Sequence, residues 1–293
     1  MSQTLYLSTI NDKIEDFYTL FSLWETFKDV RDLQIDFSDC RFLRQNAVAF
    51  LGGIIYNIRN NGGKVSINIE SMSPEILMNL AQNGFLSAVG VNSNPWEGNS
   101  IPYRHDTVNK PTLITRYLQE QWIGREWIAV SEKLADTITG TVWEIYANAF
   151  EHGKSSSGVF SCGQYFPKLK ELNLTVIDFG IGIPASVREF LDPKEYPEKV
   201  SADKALEMAF QGGFTTKPKI SRGLGLEILK RFIQITGGRM DVYSHEAHGL
   251  FSNGDEHFHL TKAFFEGTIV NIMLQCDEEC YYILEENNEQ PVF

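Results

Sequence analysis

The N-terminal third of the sequence alternates between strand and helix patterns, and this alternation limits the fold more than any other feature. Residues 4–8 form a candidate strand, and residues 33–37 and 65–69 alternate apolar and polar positions as strands do. Apolar residues recur at helical spacing over residues 14–24 and 48–58. Strands separated by helices predict a mostly parallel sheet with helical cover.

The chain has 293 residues, which is enough for two separate cores. Residues 92–111 contain three prolines and little periodicity, and they predict a linker between a domain at 1–91 and a second at 112–276. Residues 277–293 are acidic and polar and are interpreted as a solvated tail. In the second domain, the patterns predict helices at 112–123, 126–151 and 224–236 and strands at 171–178, 239–244 and 267–275.

Charge and composition exclude several classes of function. The chain has 38 acidic and 26 basic residues, and a net charge of −12 disfavours a general nucleic-acid binder. The N-terminus lacks the basic start and apolar core of a signal peptide. The longest apolar stretch, residues 47–56, is too short to span a bilayer, so no membrane contact is expected. Four scattered cysteines indicate free thiols and a cytoplasmic location.

A polar row interrupts the predicted helix at 126–151. Glu144, Asn148 and His152 are spaced i, i+4 and i+8, so they share one helix face. On an otherwise apolar helix, such a row lines either solvent or a site.

Two glycine-rich motifs follow. In Asp178-x-Gly180-x-Gly182, a predicted strand ends in an acid, and the glycines let backbone approach a ligand closely. Further on, Gly212-Gly213-Phe-Thr215-Thr216-Lys217 precedes Gly223-Leu224-Gly225-Leu226, which opens the last predicted helix. A glycine-rich turn at a helix N-terminus presents free N–H groups that suit phosphate. Taken alone, the Asp178 motif could be a tight turn, and the polar row from Glu144 could be part of a capped surface helix. The occurrence of all three motifs in this order is difficult to explain as coincidence.

Taken together, the three motifs resemble the GHKL superfamily, the ATP-binding fold of gyrase, the large heat-shock chaperones, histidine kinases and MutL. The resemblance covers residues 125–275. It implies an α/β (α+β) fold in which a GHKL, or Bergerat-type, sandwich has a mixed sheet and helices on one face. It also implies ATP and Mg²⁺ as cofactors.

The resemblance gives each matching residue a role. Asn148 matches the Mg²⁺ ligand, and Glu144 matches the catalytic acid that polarises a water or a substrate hydroxyl for attack on the γ-phosphate. Asp178 matches the carboxylate that accepts a hydrogen bond from the adenine amino group, while Gly180 and Gly182 shape the adenine pocket. The other residues expected at the nucleotide, some of them in or beside a mobile lid at 183–222, are His152, Thr215, Thr216, Lys217, Gly223, Leu224, Gly225 and Leu226.

Within the superfamily, the chain most resembles the anti-sigma-factor kinases, whose motif E-x3-N-A-x2-H-G is matched from Glu144 to Gly153. A conventional sensor histidine kinase is not expected, because the one upstream histidine, His105, lies in the predicted linker. A complete gyrase-like or MutL-like machine is not expected either, because 18 acidic and polar residues follow Gln275.

Residues 31–91 resemble the STAS class, the anti-sigma-factor antagonists on which such kinases act. Where that class carries an acid and a phosphorylatable serine at a helix start, this chain has Arg44-Gln45-Asn46-Ala47. The STAS-like domain is therefore expected to dock a partner or hold a dimer, and not to be the substrate of its own chain.

The sequence thus predicts a nucleotide-dependent ATPase switch that acts on a regulatory protein partner through the STAS-like domain or the lid. Two alternatives stay open at this point: a protein serine/threonine kinase with a separate substrate, and a non-catalytic ATP sensor.

Four histidines, His245, His248, His257 and His259, lie within fifteen residues. A polar loop between two late strands is the favoured interpretation, and a zinc site is the alternative.

Overall fold

The computed structural model describes residues 3–151, 153–191, 200–211, 224–277, 279–284 and 291–292. Its first part contains β1 (Gln3–Tyr6), α1 (Ile14–Phe27), β2 (Asp32–Asp36), α2 (Gln45–Asn60) and β3 (Lys64–Ile67), followed by a 3-10 turn (Ile69–Ser71), α3 (Pro74–Gln82) and α4 (Phe85–Ala88). We call residues 3–91 the N-terminal module.

The three strands of the N-terminal module pair in parallel in the order β1-β2-β3, as the alternation predicts. Leu5, Leu33 and Ile35 point from this sheet into the core that contains α1 and α2. On the opposite face of β2, Gln34 is exposed to solvent. Helices therefore cover one face of this small sheet.

The second part of the chain forms a larger unit. Its elements are β4 (Ser100–Asp106), α5 (Pro111–Tyr117), a π-helical turn (Leu118–Trp122), a 3-10 turn (Ile123–Arg125), β5 (Ala129–Val130), α6 (Glu132–Glu151), β6 (Val159–Phe166), β7 (Glu171–Asp178), α7 (Gly182–Phe190), α8 (Ala202–Phe210), α9 (Leu224–Ile235), β8 (Arg239–Ser252), β9 (Asp255–Gln275), β10 (Tyr281–Leu284) and β11 (Pro291–Val292).

Five of these strands form one sheet in the order β4-β6-β7-β9-β8. The α/β fold class is confirmed, but the predicted mixed sheet requires a correction, because every pairing in this sheet is antiparallel. For two of the four pairings, the physical reason is a short connection between neighbouring strands. Only residues 167–170 join β6 to β7 and only residues 253–254 join β8 to β9, whereas a parallel pairing needs a crossover of a dozen residues or more.

Helices cover both faces of the five-stranded sheet, although the sequence predicted helices on one face. Helices α5, α6, α8 and α9 share one core with its first face. Helices α1 and α2 of the N-terminal module share another core with its second face. The layers therefore run from the small parallel sheet through α1 and α2 to the large sheet, and then to the second set of helices.

Aromatic side chains fill the contact between the N-terminal module and the large sheet. The ring of Phe21 stacks on Phe265 with 5.2 Å between centroids and meets the edge of Tyr243 at 5.7 Å. Phe17 stacks on Tyr243 at 4.4 Å. The indole Nε1 of Trp24 donates a hydrogen bond to Glu266 Oε1 at 2.9 Å.

Three predicted boundaries differ from the structure. Residues 100–106 of the predicted linker form β4, because Ile101 is fully buried at the edge of the large sheet. The predicted tail contains β10, which pairs with β5 and buries Tyr282. The helix predicted over 126–151 begins at Glu132, because Ala129–Val130 is the strand β5.

No helix in the described ranges is long and apolar enough to cross a membrane.

Replacing Phe21 with alanine tests whether the N-terminal module and the large sheet share one core. Phe21 is 2% exposed, and removing a buried phenylalanine ring costs about 3–5 kcal/mol. We expect Phe21→Ala to lower the free energy of unfolding by that amount in a single urea transition that includes the whole chain. The control Phe42→Ala removes a ring that is 40% exposed in the same module, and it is expected to cost about 1 kcal/mol or less. Two separate transitions, with only one shifted, would contradict the shared core.

Candidate functional site

Asp178 is the last residue of β7, and its carboxyl group lies in the interior of the protein. Its strand is central in the sheet, where Asp178 pairs with Val159 of β6 and Thr268 of β9. The side chain is 4% exposed, and its Oδ1 accepts a hydrogen bond from the Gly180 N–H at 2.8 Å. Burial raises the pKa of Asp178 to about 7, although the hydrogen bonds from Gly180 and Thr268 act to lower it. The sequence motif therefore places a desolvated acid at the end of a central strand.

The turn after Asp178 lies close against the C-terminal end of α6. A Cβ atom on Gly180 would lie 1.8 Å from the Gly153 carbonyl oxygen, so no side chain fits there. The same carbonyl accepts a hydrogen bond from the Ile181 N–H at 2.6 Å. Gly180 is thus required by close approach of two backbone segments of the chain itself, whereas the sequence predicts a close approach of backbone to a ligand.

Gly182 is required for a different reason. Its φ of +72° lies in the left-handed region, which favours glycine. A Cβ atom there would also lie 2.6 Å from the Glu266 carbonyl oxygen and 2.7 Å from Ser244 Oγ. The second glycine of the motif therefore lets the turn enter α7 between two neighbouring strands.

The polar row of α6 reaches this region from its own helix. Asn148 is exposed, and Glu144, one turn earlier, is half-buried. The backbone carbonyl of Asn148 accepts a hydrogen bond from the Gly153 N–H at 3.0 Å. Because a Cβ atom on Gly153 would lie 3.0 Å from Asp178 Oδ1, the end of α6 adjoins the acid. The structure therefore brings the first and second motifs together.

Three residues hold this turn in a role that the sequence does not predict: Ser244, Thr268 and His245, which the sequence marks only as a member of the histidine cluster. Ser244 Oγ accepts a hydrogen bond from the Ile183 N–H at 2.9 Å and donates one to the Gly267 carbonyl at 2.8 Å. The side chain of Thr268 hydrogen-bonds the Asp178 carboxyl. No periodicity or motif indicates this role, because it depends on the pairing of β8 with β9.

His245 supports the same turn from a distorted strand. It lies at a register shift between β8 and β9 and has a φ of +55°, which is uncommon for a residue with a side chain. Its Nε2 is 2.8 Å from the Ile181 carbonyl oxygen. A carbonyl can only accept, so Nε2 carries the proton and donates. Bulges next to functional sites commonly re-aim a side chain in this way.

The third motif falls mostly outside the described residues. His152, Thr215, Thr216, Lys217 and Gly223 are not described. Leu224 and Gly225 open α9, and Leu226 follows them as a half-buried residue. The predicted lid at 183–222 contains α8 and most of α7 in its described part.

The sequence predicts a polar loop at the histidine cluster, and this prediction is wrong. The members of the cluster are on the paired strands β8 and β9, where His248 opposes His259. His248 Nε2 is 2.9 Å from Asp241 Oδ1, and its ring stacks on Tyr243 at 4.2 Å. Among the described residues, no group of three or more His, Cys, Asp or Glu could hold a metal ion.

Residues 134–273 match the family model of histidine kinase-, DNA gyrase B- and HSP90-like ATPases. This segment is therefore similar to GHKL ATPase domains. The matched segment contains Glu144, Asn148 and Asp178, and it extends from α6 to β9. A search of curated proteins finds no match. The GHKL resemblance is thus confirmed, while the anti-sigma-factor branch and the STAS-like resemblance of the N-terminal module stay predictions.

Replacing Asp178 with asparagine should change how stability depends on pH. The carboxyl has an ordinary pKa of 3.8 and a pKa of about 7 in the folded chain, so between these values the folded state holds a proton that the unfolded state has released. The free energy of unfolding of the wild type should therefore fall as pH rises from about 4 to 7. An asparagine side chain at this position does not titrate, and it can still accept the hydrogen bond from Gly180.

We expect Asp178→Asn to equal the wild type in stability near pH 4 and to exceed it above pH 7, by roughly 4 kcal/mol at most. Thermal melts from pH 4 to 8 measure the difference. Asp255→Asn, which changes an exposed acid on β9, is the control and should run parallel to the wild type. An Asp178→Asn curve that also runs parallel would contradict a buried, proton-binding carboxyl.

Proposed function

We propose that this chain binds ATP with Mg²⁺ and hydrolyses the γ-phosphate, as a nucleotide-dependent switch for a regulatory protein partner. The buried carboxyl of Asp178 is the observation that carries the proposal, because it ends a central strand inside a GHKL ATPase segment. Domains of this family act as ATPases or kinases. The Mg²⁺ requirement, the roles of single residues and the partner belong to the proposal.

The residues at the site fit an adenine. A buried carboxylate accepts a hydrogen bond from an exocyclic amino group, whereas a base with a carbonyl at that position offers it no donor. Gly180 and Thr268 hold the Asp178 carboxyl in one orientation. At Gly180 and Gly182 the space that a side chain would need is filled by neighbouring backbone and by Ser244, so these glycines support the proposal by letting the turn fold tightly beside the acid.

The polar face of α6 fits a metal–triphosphate. Asn148 is exposed and offers an amide oxygen, a ligand type that suits the hard cation Mg²⁺. Mg²⁺ would neutralise charge on the phosphates when bound. Glu144 lies one turn earlier on the same face and is half-buried, so it can accept a proton from a water positioned beside it.

The N-terminal module supports a regulatory role over a role as internal substrate. The start of α2, where the STAS class carries its phosphorylatable serine, is Arg44, Gln45 and Asn46, which are 9%, 2% and 0% exposed. If this chain is a kinase, its substrate is therefore a separate protein.

Asp178→Asn should separate base recognition from phosphate recognition. The hydrogen bond from adenine to the ionised carboxylate is worth about 1.5–3 kcal/mol, so above the pKa of Asp178 we expect ATP affinity to fall roughly 10–100-fold. Affinity for inorganic tripolyphosphate should be unchanged, because that ligand has no base. Isothermal titration of both ligands measures the difference, with Asp255→Asn as the control. Equal weakening of ATP and tripolyphosphate would show that Asp178 does not contact the base.

Glu144→Gln should stop turnover and leave nucleotide binding intact. Glutamine keeps the shape of the side chain and cannot take up a proton, and loss of a general base lowers a rate about 10²–10⁴-fold. Incubation with γ-labelled ATP and Mg²⁺, following free phosphate and labelled protein together, measures the loss. Glu132→Gln, an exposed acid at the other end of α6, is the control and should turn over normally.

The same incubation distinguishes the proposed functions. Phosphate release that Glu144→Gln abolishes supports hydrolysis. Label transferred to an added protein would replace the ATPase switch with a kinase. If the wild type binds ATP tightly but gives neither free phosphate nor labelled protein, the chain is a nucleotide sensor and not an enzyme.

A further inference from the structure

Helix α2 contains two adjacent glycines, Gly52 and Gly53, in the middle of its 16 residues. Each glycine inside a helix costs about 1 kcal/mol relative to alanine, so two in succession call for a reason in the packing. Both are buried. The reason lies on the surface of the large sheet against which α2 packs.

An aromatic ring of the large sheet unit occupies the place of each missing side chain. A Cβ atom on Gly53 would lie 1.9 Å from Cε2 of Phe179, and one on Gly52 would lie 2.2 Å from the hydroxyl oxygen of Tyr103. Both contacts join the N-terminal module to the larger unit that contains the GHKL domain. The glycine pair therefore lets two rings lie directly against the backbone of α2.

Phe179 is the residue between Asp178 and Gly180 in the nucleotide-site motif. Its ring is 9% exposed and lies among rings from both parts of the chain. The nearest ring centroids belong to Trp24 at 4.6 Å, Phe50 at 5.3 Å, Phe265 at 5.4 Å and Phe160 at 5.6 Å. A ring so enclosed cannot move without displacing its neighbours.

The backbone of Phe179 connects this packing to the candidate site. Asp178 precedes it, and the N–H that holds the Asp178 carboxyl belongs to Gly180, which follows it. On the other side, a Cβ atom on Gly267 would lie 2.9 Å from the Cα of Phe179, so β9 also confines this segment. The position of the ring therefore fixes the two peptides that orient the acid.

We propose that Phe179 is a positioning residue for the nucleotide site and that Gly53 of the N-terminal module sets its position. The inference rests on the proposed ATP binding at Asp178. Coupling between two sites is reciprocal, so nucleotide at Asp178 tightens α2 on the sheet, and a partner that displaces α2 weakens adenine binding. The N-terminal module is then the part of the chain through which a protein partner controls nucleotide affinity.

The two glycines provide a matched pair of variants for the test. Gly53→Ala and Gly52→Ala add the same methyl group to the same helix, and each methyl would strike one ring of the large sheet unit. Only Gly53→Ala presses on the residue next to Asp178. We expect it to weaken ATP binding about tenfold, which lies within the usual range for coupled sites, and Gly52→Ala to change it less than about twofold.

Three further measurements keep the test independent of turnover. Tripolyphosphate affinity should be unchanged in both variants, because the acid contacts the base only. In a Phe179→Ala background, Gly53→Ala should have no further effect on ATP affinity, because the ring it strikes is absent. Hydrogen exchange of the α2 amides should slow on ATP addition in the wild type and in Gly52→Ala, and much less in Gly53→Ala.

The outcomes are distinguishable. Equal loss of ATP affinity in the two glycine variants would overturn the inference, because general undocking of α2 would explain both. Unchanged affinity in Gly53→Ala would overturn it as well. If Gly53→Ala does not fold, Phe179→Leu replaces it and is expected to weaken ATP and spare tripolyphosphate. A wild type that does not bind ATP would overturn the proposed function itself.

Discussion

The packing of α1 and α2 against the second face of the five-stranded sheet is the contact on which the rest of the structure depends. That face presents Phe160, Ile177, Phe265 and Ile269, all buried. An antiparallel sheet can leave one face in water when the face is polar, but these side chains would form a large apolar patch. The helices have the same need, because their small sheet covers them on one side only. Each part of the chain therefore completes the core of the other.

The contact has opposite chemistry at its two ends. Next to Asp178 it is aromatic, whereas at the start of α2 it is polar and ionic. There Arg44 lies 3.0 Å from Asp12 and 3.1 Å from Glu171, and the Gln45 amide reaches Asn271 Oδ1 at 3.2 Å. Burial raises the pKa of Asp12 even though Arg44 and Arg239 act to lower it, so the polar end of the contact is shielded from water.

The polar end determines the position of α2 on the sheet more than it stabilises the contact. Five of its buried atoms make no hydrogen bond to the part of the chain that the structure describes: Arg44 Nε, Gln45 Oε1, both amide atoms of Asn173, and Asn271 Nδ2. Each unsatisfied buried group costs about 1–3 kcal/mol, which offsets much of what the ion pairs gain. Directional hydrogen bonds nevertheless fix the register of α2 on the sheet. We infer that the aromatic end supplies the stability of the contact and that the polar end determines its alignment.

The sequence predicted the parts of the fold whose signal is local. Periodicity predicts helices α2, α6 and α9 and strand β7. The turn after Asp178 is indicated by its glycines, which allow backbone conformations and close contacts that other residues do not. The sequence predicts a polar loop around the four histidines of β8 and β9, because much of the outer part of β9 is exposed and polar and lacks the alternation of a half-buried strand. The contacts of Ser244 and His245 with the turn after Asp178 have no local signal in the sequence, because a register shift between β8 and β9 places these side chains. Phe179 was missed because a motif states nothing about the residue between its fixed positions.

The aromatic contact and the acid of the candidate site are physically linked through the end of β7, because Phe179 directly follows Asp178 and faces the opposite side of the sheet. A carboxyl whose pKa is raised to about 7 destabilises the folded chain at neutral pH, so neighbouring interactions must offset it. Ile177 and Phe179 face the core that contains α1 and α2, whereas Val159, which pairs with Asp178, lies in the core on the other face of the sheet. The helices of the N-terminal module therefore do not cover the carboxyl itself. Their contact with the Phe179 ring instead holds the backbone between Asp178 and Gly180, and we infer that base selectivity depends on the N-terminal module through the orientation of the acid.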